Sequence, residues 1–392
     1  MRVLLAFDKF KGSLTAQSAG SVTARVLRDL HPDWSIELAP VTDGGEGFVS
    51  ILTHAGKGEM KDVMVSGPRG QMVAAQYGLV TWSAIPEAVR IPLGLPENLA
   101  PQTQIAIIEM AQASGLSLLQ SGDRNPWQTT THGTGELISE AVKAGVEAVI
   151  LGVGGSATND LGLGALGALG LHFHSNAGEE INPAIPARWS EIERISGSLP
   201  KTLPTLYIAC DVTNPLLGAQ GAAAIYGPQK GLPAGELDRM ERESERMARM
   251  LCAYFDSSAE LANTPGAGAA GGIAFGLMVG AKARLVPGFA LVSAWLDLER
   301  KIKRADVVIT GEGCFDASSS QGKGPGAVVD QALANGKPVF VFAGKITAPL
   351  RNNMELHAIT DTDAPLEQAM ADGAKNLEAT VRRVFSPSHS IL

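Results

Sequence analysis

Cysteine is scarce in this chain: three occur in 392 residues, at 210, 252 and 314, with no CxxC pair. Neither a disulfide framework nor a thiolate zinc site can be assembled from them, a pattern of reducing compartments that makes the cytoplasm the expected location. Positive charge is also short. Lys and Arg number 32 against 40 Asp and Glu, a formal −8, so no broad basic field exists for phosphate backbones and nucleic acid is not an expected partner. Long apolar runs are missing too. The amino-terminal MRVLLAF reaches Asp8 too soon for a secretory segment. Residues 261–281 are uncharged over nearly a membrane span, but six of them are glycine and Asn263, Thr264 and Pro265 interrupt the run; a buried Gly/Ala-rich helix is expected there, with no membrane partner. Several catalytic signatures are absent. There is no G-x-x-x-x-G-K-[ST], no H-R-D-L-x-x-x-N, no H-E-x-x-H and no G-x-S-x-G, which excludes P-loop NTPases, protein kinases, zincins and elbow-type hydrolases. GAGAAGG at 266–272 satisfies G-x-G-x-x-G, yet the preceding SSAELANTP is no strand, so a dinucleotide-dependent oxidoreductase lacks its fingerprint.

What the chain does have is glycine, 45 residues of it, and a 45% hydrophobic content against 18% charged. Its length exceeds the roughly 250–300 residues at which one core stops growing, so two domains are expected. Strand-like runs at 3–7 and 36–41 flank a helical pattern through Val22, Val26, Leu27 and Leu30. Strands alternate with helices again at 307–310, 338–343 and 356–360, with a final helix over 366–384. These five strands predict one doubly wound parallel sheet built from residues 1–60 and 291–392. Between them, 61–290 reads as a second α/β domain inserted into the first. It opens with a hairpin, 62–65 and 72–80 across Gly67-Pro68-Arg69-Gly70, and continues through strands near 105–110, 149–151 and 206–209. The proline-bearing stretches 86–101 and 183–204 read as surface connections, and LHFHS at 171–175 as a strand edge.

Four loops carry the chemistry. GGSATND (154–160) follows the apolar AVILGV and precedes a small-residue helix, so backbone N–H groups and a helix start can meet an anion there. The same loop also reads as a tight turn capped by Ser156 or Thr158. TDGGEG (42–47), CDVTNP (210–215) and TGEGCFD (310–316) each place carboxylates among glycines after an apolar run. Ligands of open α/β sheets bind outside the carboxyl ends of strands, so these loops predict one shared crevice, with a metal. Asp8, Lys9, Lys11 and Ser13 follow the first strand; the two lysines suit a substrate carboxylate or nucleotide phosphates, or read as a surface pair. Lys230 in GPQKG and Lys323 in QGKGPG are further phosphate candidates on Gly loops. Carboxylates and lysines without a nucleophile motif suit phosphoryl transfer, where positioning and charge neutralisation suffice. A non-catalytic organic-acid-binding protein would explain the lysines but not so many carboxylates.

The motifs GGSATND, DGGEG, CDVTNPLLG, YGPQKG, PGAGAAGG and VITGEG, at 154, 43, 210, 226, 265 and 308, together resemble the type 1 glycerate kinases, also called glycerate 2-kinases, in order along nearly the whole chain. The resemblance implies a flavodoxin-like domain carrying an inserted α/β domain. It also implies ATP- and Mg²⁺-dependent phosphorylation of D-glycerate at the 2-hydroxyl in a crevice between the two; a related small hydroxy acid, or the 3-phosphate as product, are the alternatives. On that basis the expected catalytic carboxylates are Asp43, Asp160, Asp211 and Glu312. Asp211 with Asp160 or Glu312 is expected on the metal, and Asp43 or Asp160 on the glycerate hydroxyl. Substrate contacts are expected from Asp8, Lys11, Glu46, Ser156, Thr158 and Asn159, with Lys11 on the carboxylate and Lys9 pointing elsewhere by strand parity. Nucleotide contacts are expected from Asn214, Lys230, Gly266, Gly268, Asp316 and Lys323. The chain departs from the family pattern at Lys9 (usually Ser), Cys314 (usually Arg), Ser318 (usually Gln), His132 (often Arg) and Leu161, in TNDLG for TNDGG.

Overall fold

The computed structural model describes residues 1–95, 99–316, 324–360 and 364–386. It divides into two compact units, one of Met1–Asp43 with Val292–Leu392 and one of Gly44–Leu291. In chain order the strands are β1 (Arg2–Phe7), β2 (Ser35–Leu38), β3 (Glu59–Ser66), β4 (Met72–Thr81), β5 (Gln104–Glu109), β6 (Ala148–Gly152) and β7 (Leu171–His174). They continue with β8 (Arg194–Gly197), β9 (Thr205–Ala209), β10 (Arg284–Val286), β11 (Val307–Phe315), β12 (Val339–Ile346) and β13 (Met354–Ala358).

The first unit holds a five-stranded sheet in the order β13-β12-β11-β1-β2, parallel at every pair. Counted along this unit's own strands from the β2 edge, the order is 2-1-3-4-5, the flavodoxin-like arrangement, with its switch point between β1 and β11. β1 is buried at all but its first residue, Arg2, as a strand covered on both faces requires, and from Val3 on its sequence is accordingly an unbroken apolar run. The helix Ala16–Leu30 starts where Thr15 Oγ1 accepts from Ser18 N at 3.0 Å. It buries Ala19, Thr23, Val26 and Leu27 into a core with Leu5, Ile309, Phe342 and Phe385.

The second unit's sheet has six strands in the order β10-β9-β6-β5-β4-β3. β3 and β4, and β4 and β5, pair antiparallel, and the remaining pairs are parallel. β7 and β8 form a separate antiparallel pair. Both units are therefore α/β, the first wholly parallel and the second mixed.

Three expectations need correction. Residues 44–60, expected with the first unit, lie in the second. The helix Phe48–Ala55 packs against β4 and β5, burying Phe48, Val49 and Leu52, and β3 is already paired with β4 from Glu59 onward. The stretch 261–281 is not one helix. A 3-10 turn, Ala259–Asn263, is followed by the helix Ala269–Ala281, inside which Ala270, Gly271 and Gly272 take left-handed angles, a conformation that glycine reaches without the Cβ penalty. Nor are the proline-bearing stretches mere surface connections. One carries the helix Glu87–Leu93, and the other carries β8 and a fully buried Trp189. Among the described residues no helix is long and apolar enough to cross a membrane.

Candidate functional site

In the first unit, the ends of β1 and β11 flank the switch point and carry acidic and basic side chains. Asp8 follows β1 and is 6% exposed. Lys9 donates its backbone N–H to Asp8 Oδ1 at 2.6 Å. Its Nζ stands 3.8 Å from Asp8 Oδ1 and 3.7 Å from Asp43 Oδ1. The parity argument thus fails: β1 ends at Phe7, and the loop turns Lys9 between two carboxylates, while Lys11 is exposed. Glu312 lies on β11, opposite Ala343 of β12. A Cβ on Gly324 would sit 3.3 Å from Asp8 Oδ2, so the carboxylate lies at the start of the helix Gly324–Ala334, where a negative charge is favoured. Cys314 donates its thiol to Asp316 at 3.7 Å. Burial and the Asp316 carboxylate push that thiol up, keeping it protonated. It offers no positive charge where the family pattern has an Arg. Lys323 and Ser318 lie outside the described residues.

In the second unit, the loops singled out in the sequence are tied to one another through backbone. Gly154 N donates to Gly44 O at 3.0 Å, joining GGSATND to DGGEG. Leu161 N donates to Gly271 O at 3.0 Å, joining it to PGAGAAGG, and Gly266 N and Gly268 N both donate to Asn214 O. A Cβ on Gly154 would meet Gly45 Cα at 2.5 Å and one on Gly271 would meet Thr158 O at 2.0 Å; only glycine permits either approach.

Several expected ligand contacts are instead spent inside this assembly. Asp160 is fully buried, and its carboxylate accepts from Thr131 N (2.7 Å), Thr131 Oγ1 (2.9 Å), Gly162 N (3.2 Å) and Gly164 N (3.3 Å). Burial pushes its carboxyl up while those donors pull it down. A carboxylate so engaged clamps the loop. Lys230, expected on a phosphate, is 2% exposed and donates to Ser156 Oγ at 2.9 Å and Thr158 O at 2.7 Å. Burial holds its Nζ down to about 7, opposed by the Asp160 carboxylate. Asn214 accepts from Tyr226 Oη at 2.6 Å and donates to Gln220 O. Asp211, at the carboxyl end of β9, remains half-exposed and accepts from Phe289 N at 2.8 Å. Glu46 is exposed. Glu109 escaped the sequence reading: it ends β5, is 2% exposed, and accepts from Gly47 N and Val49 N, fixing the DGGEG loop at the start of a helix. Its signal was a lone carboxylate closing the apolar run IAIIE. Among the described residues no group of three or more His, Cys, Asp or Glu is placed to hold a metal ion.

The sequence profile of the glycerate kinase family matches residues 3–388. The chain belongs to the glycerate kinase family. It is 38% identical to the glycerate kinase of Bacillus subtilis over 98% of this chain and 97% of that one. It is 36% identical to the glycerate 2-kinase of Escherichia coli over 88% and 86%. A glycerate kinase 2 crystal structure from Salmonella typhimurium LT2 superposes with a TM-score of 0.74 at 35% identity, covering 98% of this chain and 97% of that one. The family acts by phosphoryl transfer to an alcohol, which agrees with a chain lacking any nucleophile motif.

Proposed function

We propose that this enzyme phosphorylates D-glycerate on its 2-hydroxyl with ATP, releasing 2-phosphoglycerate and ADP. The supporting observation is the Asp8, Lys9 and Asp43 cluster beside the switch point of the first unit, where sheets of this order bind ligands. Lys9 and Lys11 supply cations for the glycerate carboxylate, and Asp43, half-exposed at 45% of its side chain, accepts the proton as the hydroxyl oxygen attacks the γ-phosphorus. The bond to the β-γ bridging oxygen breaks, and ADP leaves with that electron pair. Ser156 and its neighbours in GGSATND contact the substrate. Mg²⁺ suits oxygen ligands from one or two carboxylates plus phosphates, so it does not require a group of three His, Cys, Asp or Glu, of which there is none among the described residues; Asp211 is the residue assigned to hold it. When bound, the ion neutralises developing phosphate charge.

Coupled ADP-release assays across D-glycerate, L-glycerate and other 2-hydroxy acids test the reading, with phosphorus NMR of the product separating the 2- from the 3-phosphate. D-glycerate is expected to be preferred and the 2-phosphate formed. Asp211→Asn should lower kcat about a hundredfold and raise the Mg²⁺ needed for half-activity. Wild-type turnover at low Mg²⁺ in that variant would remove Asp211 from the metal.

A further inference from the structure

Lys230 lies beneath the GGSATND loop with its Nζ on Ser156 Oγ and Thr158 O. A hydroxyl has one hydrogen to give and lone pairs to receive with. Because Lys230 fills an acceptor position on Ser156 Oγ, the serine hydrogen points away from it, and among the described residues no acceptor takes that hydrogen. Two other polar atoms of the loop, Thr158 Oγ1 and Asn159 Oδ1, are buried without a hydrogen-bond partner among the described residues, at 0% and 1% exposure. Buried polar atoms are ordinarily satisfied, and those left over commonly mark a functional site. The loop is not free to relax toward a partner of its own. Gly154 N is held by Gly44 O and Ala157 N by Ser114 O, and Asp160 is clamped by its donors.

We propose that Ser156 acts as a hydrogen-bond donor to a ligand oxyanion and that Lys230 is the positioning residue enforcing this polarity by occupying the serine's acceptor lone pair. Lys230 then acts on the ligand through a hydroxyl, replacing the direct phosphate contact that its Gly-rich setting suggested. An oxygen that accepts one bond donates its own hydrogen more strongly. The oxyanion is a carboxylate of the acceptor or a phosphate of the nucleotide. This inference rests on the kinase reading given above and adds the direction of the hydrogen bond and the residue that sets it.

The test is steady-state kinetics of the full-length enzyme, with D-glycerate and ATP varied separately, for Ser156→Ala, Ser156→Thr, Lys230→Met and the Ser156→Ala/Lys230→Met pair. Ser156→Ala should raise one of the two KM values by about ten- to hundredfold and leave the other unchanged, and the substrate affected identifies the oxyanion. Ser156→Thr, which keeps the hydroxyl, should stay within about threefold of wild type. Lys230→Met should raise the same KM, and the double variant should be no worse than the worse single one, since both remove one donor path. Unchanged KM values in Ser156→Ala, or equal impairment in Ser156→Thr, overturns the proposal even if Lys230→Met fails to fold. Strictly additive losses overturn it as well. Absence of glycerate-dependent ADP release from the wild type would be seen before any variant is made, and overturns the kinase reading together with what rests on it.

Discussion

Asp160 illustrates how surroundings, more than residue type, assign a carboxylate its work. Its oxygens receive Thr131, Gly162 and Gly164 donors within the core, so an amide there would turn N–H toward N–H. Asp160→Asn should cost about 2–4 kcal/mol, read from the urea midpoint. Wild-type stability combined with a raised Mg²⁺ requirement would return Asp160 to the metal. Lys230 carries a signature in pH. Its Nζ titrates at about 7 in the folded chain against 10.5 as an ordinary lysine. The penalty for burying its charge is thus fully present below about pH 7. Between 7 and 10.5 the unfolded chain binds the extra proton, so stability rises with pH by at most about 1.4 kcal/mol per unit. Wild type minus Lys230→Met stability, measured from pH 6 to 9, should turn toward wild type above 7; a flat difference would show that Lys230 is not buried as an ammonium.

At the scale of elements, the site depends on loops in backbone contact. The left-handed turn at Ala270, Gly271 and Gly272 opens a helix and lets Leu161 N reach Gly271 O. At Gly271, φ is +74° and an added Cβ would lie 2.0 Å from Thr158 O. Gly271→Ala should therefore destabilise by about 3 kcal/mol or more and impair turnover, because it displaces the loop bearing Ser156. Gly122→Ala, where an added Cβ meets nothing within 4 Å, should shift stability by less than about 0.5 kcal/mol. Thermal melts of the two variants decide; equal effects would mean that the close approach carries no energy. These contacts were not legible in the sequence. PGAGAAGG showed that glycine was needed, but what approached it was a loop more than a hundred residues earlier.

At the scale of the molecule, one unit is continuous and the other is not. Gly44–Leu291 contains its own six-stranded sheet and core. The other unit places β1 between β2 and β11, joining strands from opposite ends of the chain. A fragment of residues 44–291 should therefore unfold cooperatively in urea with native-like far-UV circular dichroism, while 1–43 and 292–392 expressed separately should not fold. A fragment of 44–291 without a cooperative transition would show that its core is insufficient alone.

The buried parallel strands were legible because a strand covered on both faces must be apolar along its buried stretch, and VLLAF, AVILG and VVI satisfy that without reference to their neighbours. The Gly-rich loops and their carboxylates were legible for a similar local reason, since tight turns at strand ends demand those residues, and their order along the chain carried the family. Which acidic and basic groups are buried and which stay exposed was decided by tertiary structure alone. Asp160 and Lys230 stand in motifs as exposed on paper as those of Asp43 and Lys9, yet the first pair is buried and hydrogen-bonded to loops brought from elsewhere. The second pair lies beyond the carboxyl end of β1, partly open to water. Burial and partner geometry are properties of chain segments far apart in sequence, and it is these that turn a charged residue into either a clamp or a reagent.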